Sequence, residues 1–222
     1  MNREEARRRI VEVGIVPVVR APSAQAAMAA ARAVADGGIP IVEVTMTVPG
    51  AVDAIADLAR SMGNEVLLGA GTVLDAQTAA RCLAAGAQFL VSPLFDPETV
   101  ALANREDKVV MPGALTPTEV RAAWKAGADF VKVFPCASAG GPAHIKALKA
   151  VFPQIPLVPT GGVNLTTVEA FLRAGAAALG VGSELVSGAP ADITAAARRY
   201  VALIRQFRGQ EAVSQLSETR LP

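Results

Sequence analysis

Two ionisable side chains stand where charge is costly to keep. Lys132 lies in Phe130-Val131-Lys132-Val133-Phe134-Pro135, and Glu43 lies in Ile41-Val42-Glu43-Val44-Thr45-Met46. Both runs are short, apolar and rich in β-branched residues, the pattern of a buried strand. Burial disfavours the charged form of either group. A desolvated lysine falls from its ordinary pKa of ~10.4 toward a neutral amine that can attack a carbonyl. Lys132 is thus the first candidate for a Schiff-base nucleophile, and Glu43 is a candidate to move protons beside it. Two plainer readings compete. A lysine near a strand end can snorkel to water, and a buried carboxylate and ammonium can simply neutralise each other.

The other candidates sit at the ends of apolar runs. Arg20 closes Ile15-Val16-Pro17-Val18-Val19-Arg20, and its planar fork suits a carboxylate or phosphate. Thr47 follows the glutamate strand. Thr72 ends Gly69-Ala70-Gly71-Thr72, where a hydroxyl and glycine-exposed backbone can bind a carboxylate or merely cap a turn. Pro93 ends Phe89-Leu90-Val91-Ser92-Pro93. Thr160-Gly161-Gly162 and Gly180-Val181-Gly182-Ser183 are turns of small residues whose backbone N–H groups can approach an anion, with helix N-termini expected behind them. Gly161, Gly162, Gly182 and Ser183 are therefore the candidate phosphate ligands. Cys82 and Cys136 lie far apart and make no metal spacing. Cys82 reads as a small core residue and Cys136 as a loop thiol near the lysine strand. His144, the only histidine, reads as a surface or interface residue, and Trp124 as helix packing. No histidine or cysteine cluster suggests a metal.

Composition narrows the classes of partner. The 21 basic and 20 acidic residues of the 222 nearly cancel, which gives no electrostatic case for nucleic acid or an anionic membrane. Aromatic residues make up 4%, too few for base-stacking surfaces. The N-terminus, MNREEARRRIVEVG, is charged and lacks the apolar core of a signal peptide. A soluble cytoplasmic protein with a small-molecule substrate is the expectation.

These residues need elements to position them. Residues 2–13 read as an amphipathic lead-in helix. Eight apolar runs then alternate with helical segments, several of which close on glycine in ADGGI, AAGAQ, KAGAD and RAGAA. Ser23 and Asp75 have the position of N-caps, a helix starts near Asp96, and Thr116 has the capping-box spacing to Glu119. Val109 to Ala114 reads as one strand, and the last helix is expected from about Pro190 to Phe207. Eight strand–helix units predict an α/β protein of the (β/α)8 TIM barrel class, one domain over residues 1–208. Residues 209–222 are expected to be a frayed tail. A doubly wound open sheet is the alternative, but its G-x-G-x-x-G signature does not follow the first strand. In the barrel, chemistry belongs at the C-terminal strand ends and phosphate at the loops after the last two strands.

In this order the motifs resemble the 2-keto-3-deoxy-6-phosphogluconate aldolases, also called 4-hydroxy-2-oxoglutarate aldolases. The matching pieces are VPVVR at 16–20, VEVTMTVP at 42–49, GAGTV at 69–73, VSP at 91–93 and MPGALTPTE at 111–119. They continue with VKVFP at 131–135, GPAHIKALK at 141–149, PTGGVN at 159–164 and GVGSELV at 180–186. The resemblance implies a cofactor-free, homotrimeric class I enzyme. In it Lys132 would form the imine with the pyruvate carbonyl and Glu43 would be the general acid/base. It implies that Thr72 binds the pyruvate carboxylate with Arg20 nearby, and that Gly161, Gly162, Gly182 and Ser183 take the phosphate. Thr160, before the paired glycines, is similar to the gluconate-type enzymes, whereas galactonate-type relatives tend to carry valine there. Where some members have an arginine, this chain has Thr47, so carboxylate binding would rely more on Arg20 and Thr72. Rival readings are a phosphosugar epimerase and a phosphosugar-binding barrel with Lys132 and Glu43 as a structural pair.

Overall fold

The computed structural model describes residues 1–63 and 65–218, with side chains through Gln210. Helix α1 (Arg3–Val13) leads in, opened by a capping box between Asn2 and Glu5. Strands and helices then alternate: β1 (Ile15–Val19), α2 (Ala24–Asp36), β2 (Ile41–Thr45), α3 (Ala51–Met62), β3 (Leu67–Gly71), α4 (Ala76–Ala84), β4 (Phe89–Val91) and α5 (Pro97–Arg105). The second half comprises β5 (Val109–Met111), β6 (Gly113–Ala114), α6 (Pro117–Lys125), β7 (Val131–Val133), α7 (Pro142–Val151), β8 (Leu157–Pro159), α8 (Val168–Arg173), β9 (Leu179–Val181), α9 (Ser183–Val186) and α10 (Pro190–Glu218).

Local chemistry explains the starts and stops. The side chains of Ser23, Asp75, Asp96 and Thr116 each accept a backbone N–H three residues on, which satisfies a donor the helix cannot. Gly38, Gly86, Gly127 and Gly175, from the four repeated helix-ending motifs, all take positive φ.

All strands are parallel and their residues are buried, so the core lies between the sheet and its helices. The sheet is curled, in two ladders: β5-β4-β3-β2-β1-β9 and β6-β7-β8. Regular pairing therefore does not run round a full ring, as the eight-stranded barrel expectation requires. The expected fifth strand is split into β5 and β6 because Pro112 has no N–H to continue a ladder. Its carbonyl still accepts from Lys132 N–H at 3.0 Å. The other seam carries two isolated bridges, Leu157 to Ala176 and Thr160 to Gly180.

The last helix differs from expectation too. It does not end near Phe207 but continues to Glu218, through Gly209. It packs on α2, α8 and α9, and Thr194 Oγ1 donates to Ala33 O at 2.9 Å. Arg208 donates to the carbonyls of Val11 and Glu12 at the end of α1. The tail expected at 209–222 thus begins as helix, and residues 219–222 lie outside the described residues.

The start of β5 and the segment leading into β7 are fastened to α1 by one carboxylate. Asp129 Oδ1 and Oδ2 accept Nε and an Nη of Arg3, each at 2.9 Å, and Oδ2 also accepts Val110 N–H at 2.9 Å. Arg7 Nε stands 3.5 Å away. Removing one partner of a buried pair strands the other charges. Asp129→Ala should lower unfolding stability by about 3 kcal/mol in urea titration; a loss near zero would mean that water already screens the pair.

Candidate active site

Glu43 and Lys132 lie on β2 and β7, 2% and 3% exposed, so neither snorkels. The lysine's ladder partners are Gly113 and Val158. Burial pushes its pKa below the ordinary 10.5; Glu43 opposes that fall and Arg20 adds to it. Burial pushes Glu43 above the ordinary 4.5, opposed by Lys132 and Arg20. Desolvation leads for both groups, so the pair tends toward neutral amine and neutral carboxylic acid. Among the described residues the two make no ion-pair contact, and Glu43 Oε1 has no hydrogen-bond partner. A buried pair kept only to cancel charge would be joined directly. This one is held within electrostatic reach but apart, with an acid that can give up a proton.

Space for the carboxyl group is made by a missing atom. A Cβ on Gly71 of β3 would fall 1.7 Å from Glu43 Oε1. Thr160 is seated the same way, since a Cβ on Gly180 would lie 2.1 Å from its Oγ1. Nothing in the local pattern of either glycine reveals these roles.

The phosphate candidates converge. Arg20, Phe134, Thr160, Gly161, Gly162, Gly182 and Ser183 line one cavity of about 120 Å³. Among the described residues, the N–H groups of Gly162 and Ser183 have no carbonyl partner, whereas Gly161 N–H faces Gly180 across the Thr160–Gly180 bridge. Gly161 and Gly162 hold φ of 91° and 81°, which turns the backbone around the cavity. Helix α9 behind the second turn has 4 residues, so free N–H groups rather than a long helix dipole favour an anion there. The Phe134 ring centroid lies 5.1 Å from Lys132 Nζ, which sets the cavity beside the amine. Phe134 and Glu184 also line it and were not singled out in the sequence. The apolar run pointed to Phe134; nothing pointed to Glu184.

The remaining candidates stand past neighbouring strand ends without lining that cavity. Thr72 follows β3 at φ 56°, a left-handed conformation that costs a non-glycine residue about 1–3 kcal/mol. Its hydroxyl has no hydrogen bond among the described residues. Pro93 follows β4, and its carbonyl carbon would lie 2.2 Å from a Cβ on Gly113, so the two segments touch through backbone. Thr47 follows β2, exposed, with Oγ1 2.7 Å from Thr45 Oγ1.

Cys136 is not an open loop thiol. It is 0% exposed, burial pushes its pKa up to about 11, and its N–H donates to Thr160 O at 3.0 Å. Cys82 is core, as expected, and His144 Nε2 meets Leu115 O at 2.8 Å. Among the described residues no three His, Cys, Asp or Glu side chains gather as metal ligands, and no helix is long and apolar enough to cross a membrane.

A family's sequence model described as KDPG and KHG aldolase matches residues 7–197. The chain belongs to this aldolase family. It is an aldolase, a carbon–carbon lyase. It is 39% identical over 160 residues to the 2-dehydro-3-deoxy-phosphogluconate aldolase of Treponema pallidum, covering 72% of this chain and 76% of that one. It is 33% identical over 195 residues to the 2-dehydro-3-deoxy-6-phosphogalactonate aldolase of Escherichia coli K12, covering 87% and 94%. The crystal structure of KDPG aldolase from Legionella pneumophila, with pyruvate captured as a covalent carbinolamine, superposes with a TM-score of 0.77 at 31% identity. That match covers 89% of this chain and 95% of that one.

Proposed function

We propose that this aldolase cleaves 2-keto-3-deoxy-6-phosphogluconate to pyruvate and glyceraldehyde 3-phosphate through an imine on Lys132. It is expected also to split 4-hydroxy-2-oxoglutarate to pyruvate and glyoxylate. The observation that carries this reading is a buried lysine on β7 whose amine burial holds toward neutral, beside a carboxyl group that burial holds toward its acid form. Neutral Nζ attacks C2 and gives a carbinolamine. Glu43, through water, supplies the proton that lets hydroxide leave as water, which yields the protonated imine. The resulting carboxylate takes the C4 hydroxyl proton. The C3–C4 bond breaks, and its electrons pass into the imine to form an enamine. Protonation at C3 and hydrolysis release pyruvate and restore the amine.

Arg20 and Thr72 are assigned to the carboxylate, with Thr47 and Pro93 beside them. The unpartnered N–H groups of Gly162 and Ser183 are assigned to the phosphate, with Gly161 and Gly182 shaping the two turns around it. Thr160 supports the gluconate over the galactonate configuration. The fold is taken as a closed (β/α)8 barrel. The Thr160–Gly180 bridge and the Asp129 N–H to Val110 O bond, one at each seam, support closure. A homotrimer is expected, and exposed Leu74 and Leu94 on neighbouring mouth loops suit a subunit contact, testable by light scattering.

Borohydride trapping with pyruvate tests the imine. A pyruvate-dependent mass gain mapped to Lys132 supports the reading; no adduct in the folded protein overturns it. Glu184 adds a second check. Glu184 lines the phosphate cavity, and a carboxylate there repels a dianion. Glu184→Gln should lower KM for the phosphorylated substrate roughly 2–5-fold, the scale of an exposed charge pair. An unchanged KM would put the phosphate elsewhere.

A further inference from the structure

We infer that the Phe134 ring stabilises the positive charge that forms on Lys132 Nζ during the reaction, holding the protonated imine by a cation–π contact. This rests on the imine reading above and adds a residue to it.

The contact is made by the atom that reacts. Nζ stands over the face of the Phe134 ring, 5.1 Å from its centroid. That is inside the ~6 Å within which a cation feels the negative face of an aromatic ring. The same Nζ becomes the nitrogen of the carbinolamine and then of the imine, so ring and charge meet wherever the rest of the substrate lies. Strand geometry arranges the meeting. Lys132 lies within β7 and Phe134 just beyond it, two positions on and therefore on the same face. The ring is also held there. Phe134 N–H donates to Ala114 O at 3.1 Å, and the Gly161 turn flanks the ring, since a Cβ on Gly161 would lie 4.0 Å from its Cδ2.

Two charged groups also reach Nζ, Glu43 of β2 and Arg20 beyond β1. Arg20 repels a cation there, and Glu43 attracts one only while ionised. The negative face of the ring is permanent. A neutral amine gains little from it and a cation gains fully, so the ring favours the charged reacting states over the resting amine.

The test replaces Phe134 with phenylalanines carrying successively more ring fluorines, which keep the shape and drain the negative face. Phe134→Leu is apolar and has no π face at all. Slow trapping of pyruvate with cyanoborohydride samples the imine equilibrium on Lys132, and kcat/KM is followed against pH. The pyruvate concentration for half-maximal trapping should rise stepwise with fluorination, to roughly 3–30-fold when the face is lost, and by a similar factor in Phe134→Leu. The same face also supports the resting ammonium, so the acidic limb of kcat/KM should move to lower pH. If the ring only keeps water from the lysine, fluorination leaves both readouts unchanged, and Phe134→Leu moves the limb to higher pH by admitting water. Either of those results, with trapping intact in the unmodified protein, overturns this inference alone. Absence of trapping in the unmodified protein overturns the imine reading and this inference with it.

Discussion

Lys132→Ala should lose turnover by at least ~10^4-fold, the scale seen when a covalent nucleophile is removed, and should lose the pyruvate adduct. The fold should survive. Burial lowers the lysine's pKa in the folded chain, so at neutral pH the folded state binds this proton less readily than the unfolded state does. That difference opposes folding below the folded-state pKa and fades as pH rises to the unfolded value. Lys132→Met fills a similar volume with no proton to lose, and its unfolding midpoint at neutral pH should equal or exceed that of the parent. Measurable cleavage by either variant would remove Lys132 from the mechanism. A large drop in the Lys132→Met midpoint would make the lysine a structural partner of Glu43.

The second large effect is expected from a residue that bears no functional group. Gly71→Ala puts a Cβ where Glu43 Oε1 now lies, 1.7 Å from it, so the carboxyl group must leave its position. Activity should fall roughly 10^2–10^4-fold, as it should for Glu43→Gln, because both withdraw the positioned proton donor. Pyruvate trapping in single-turnover experiments should slow in both but still map to Lys132. The two losses should also fail to add. Glu43→Gln, Gly71→Ala should be little worse than either single variant, since the second change removes a group already displaced. Additive losses would mean that Gly71 acts through the strand and not through the glutamate.

Sequence reasoning reached much of this arrangement because its signals are local. A cap is a residue and the amide three positions on, so Ser23, Asp75, Asp96 and Thr116 fixed their helices in advance. The same holds for the glycines that end helices. Lys132 and Glu43 stood out because a charged residue inside an apolar run is visible without knowing its neighbours. What remained hidden depends on residues that meet only in three dimensions. Pro112 gave no sign that its missing N–H would divide a strand, since proline also sits at strand edges. Gly209 and the polar residues after it gave no sign that the helix would run on to Glu218, nor Arg208 that it would reach carbonyls of α1 almost two hundred positions earlier. Cys136 read as a loop thiol because its cover comes from other segments. The contact of Thr47 Oγ1 with Thr45 Oγ1, and of Thr45 Oγ1 with the carbonyl of Val19 on another strand, has no sign in the sequence either.

The glycine–side-chain pairs also carry a consequence for how such a site can change. Glu43 occupies the volume of an absent Gly71 Cβ, and Thr160 that of an absent Gly180 Cβ. Each pair behaves as one unit of inheritance. A larger residue at either glycine is tolerated only after its partner has shrunk, and a longer partner only while the glycine persists. Paths to new specificity that step through one position at a time should therefore be blocked at these four. A library that randomises position 160 alone should return few active clones besides small residues, whereas one that varies 160 and 180 together should open combinations that neither position permits by itself.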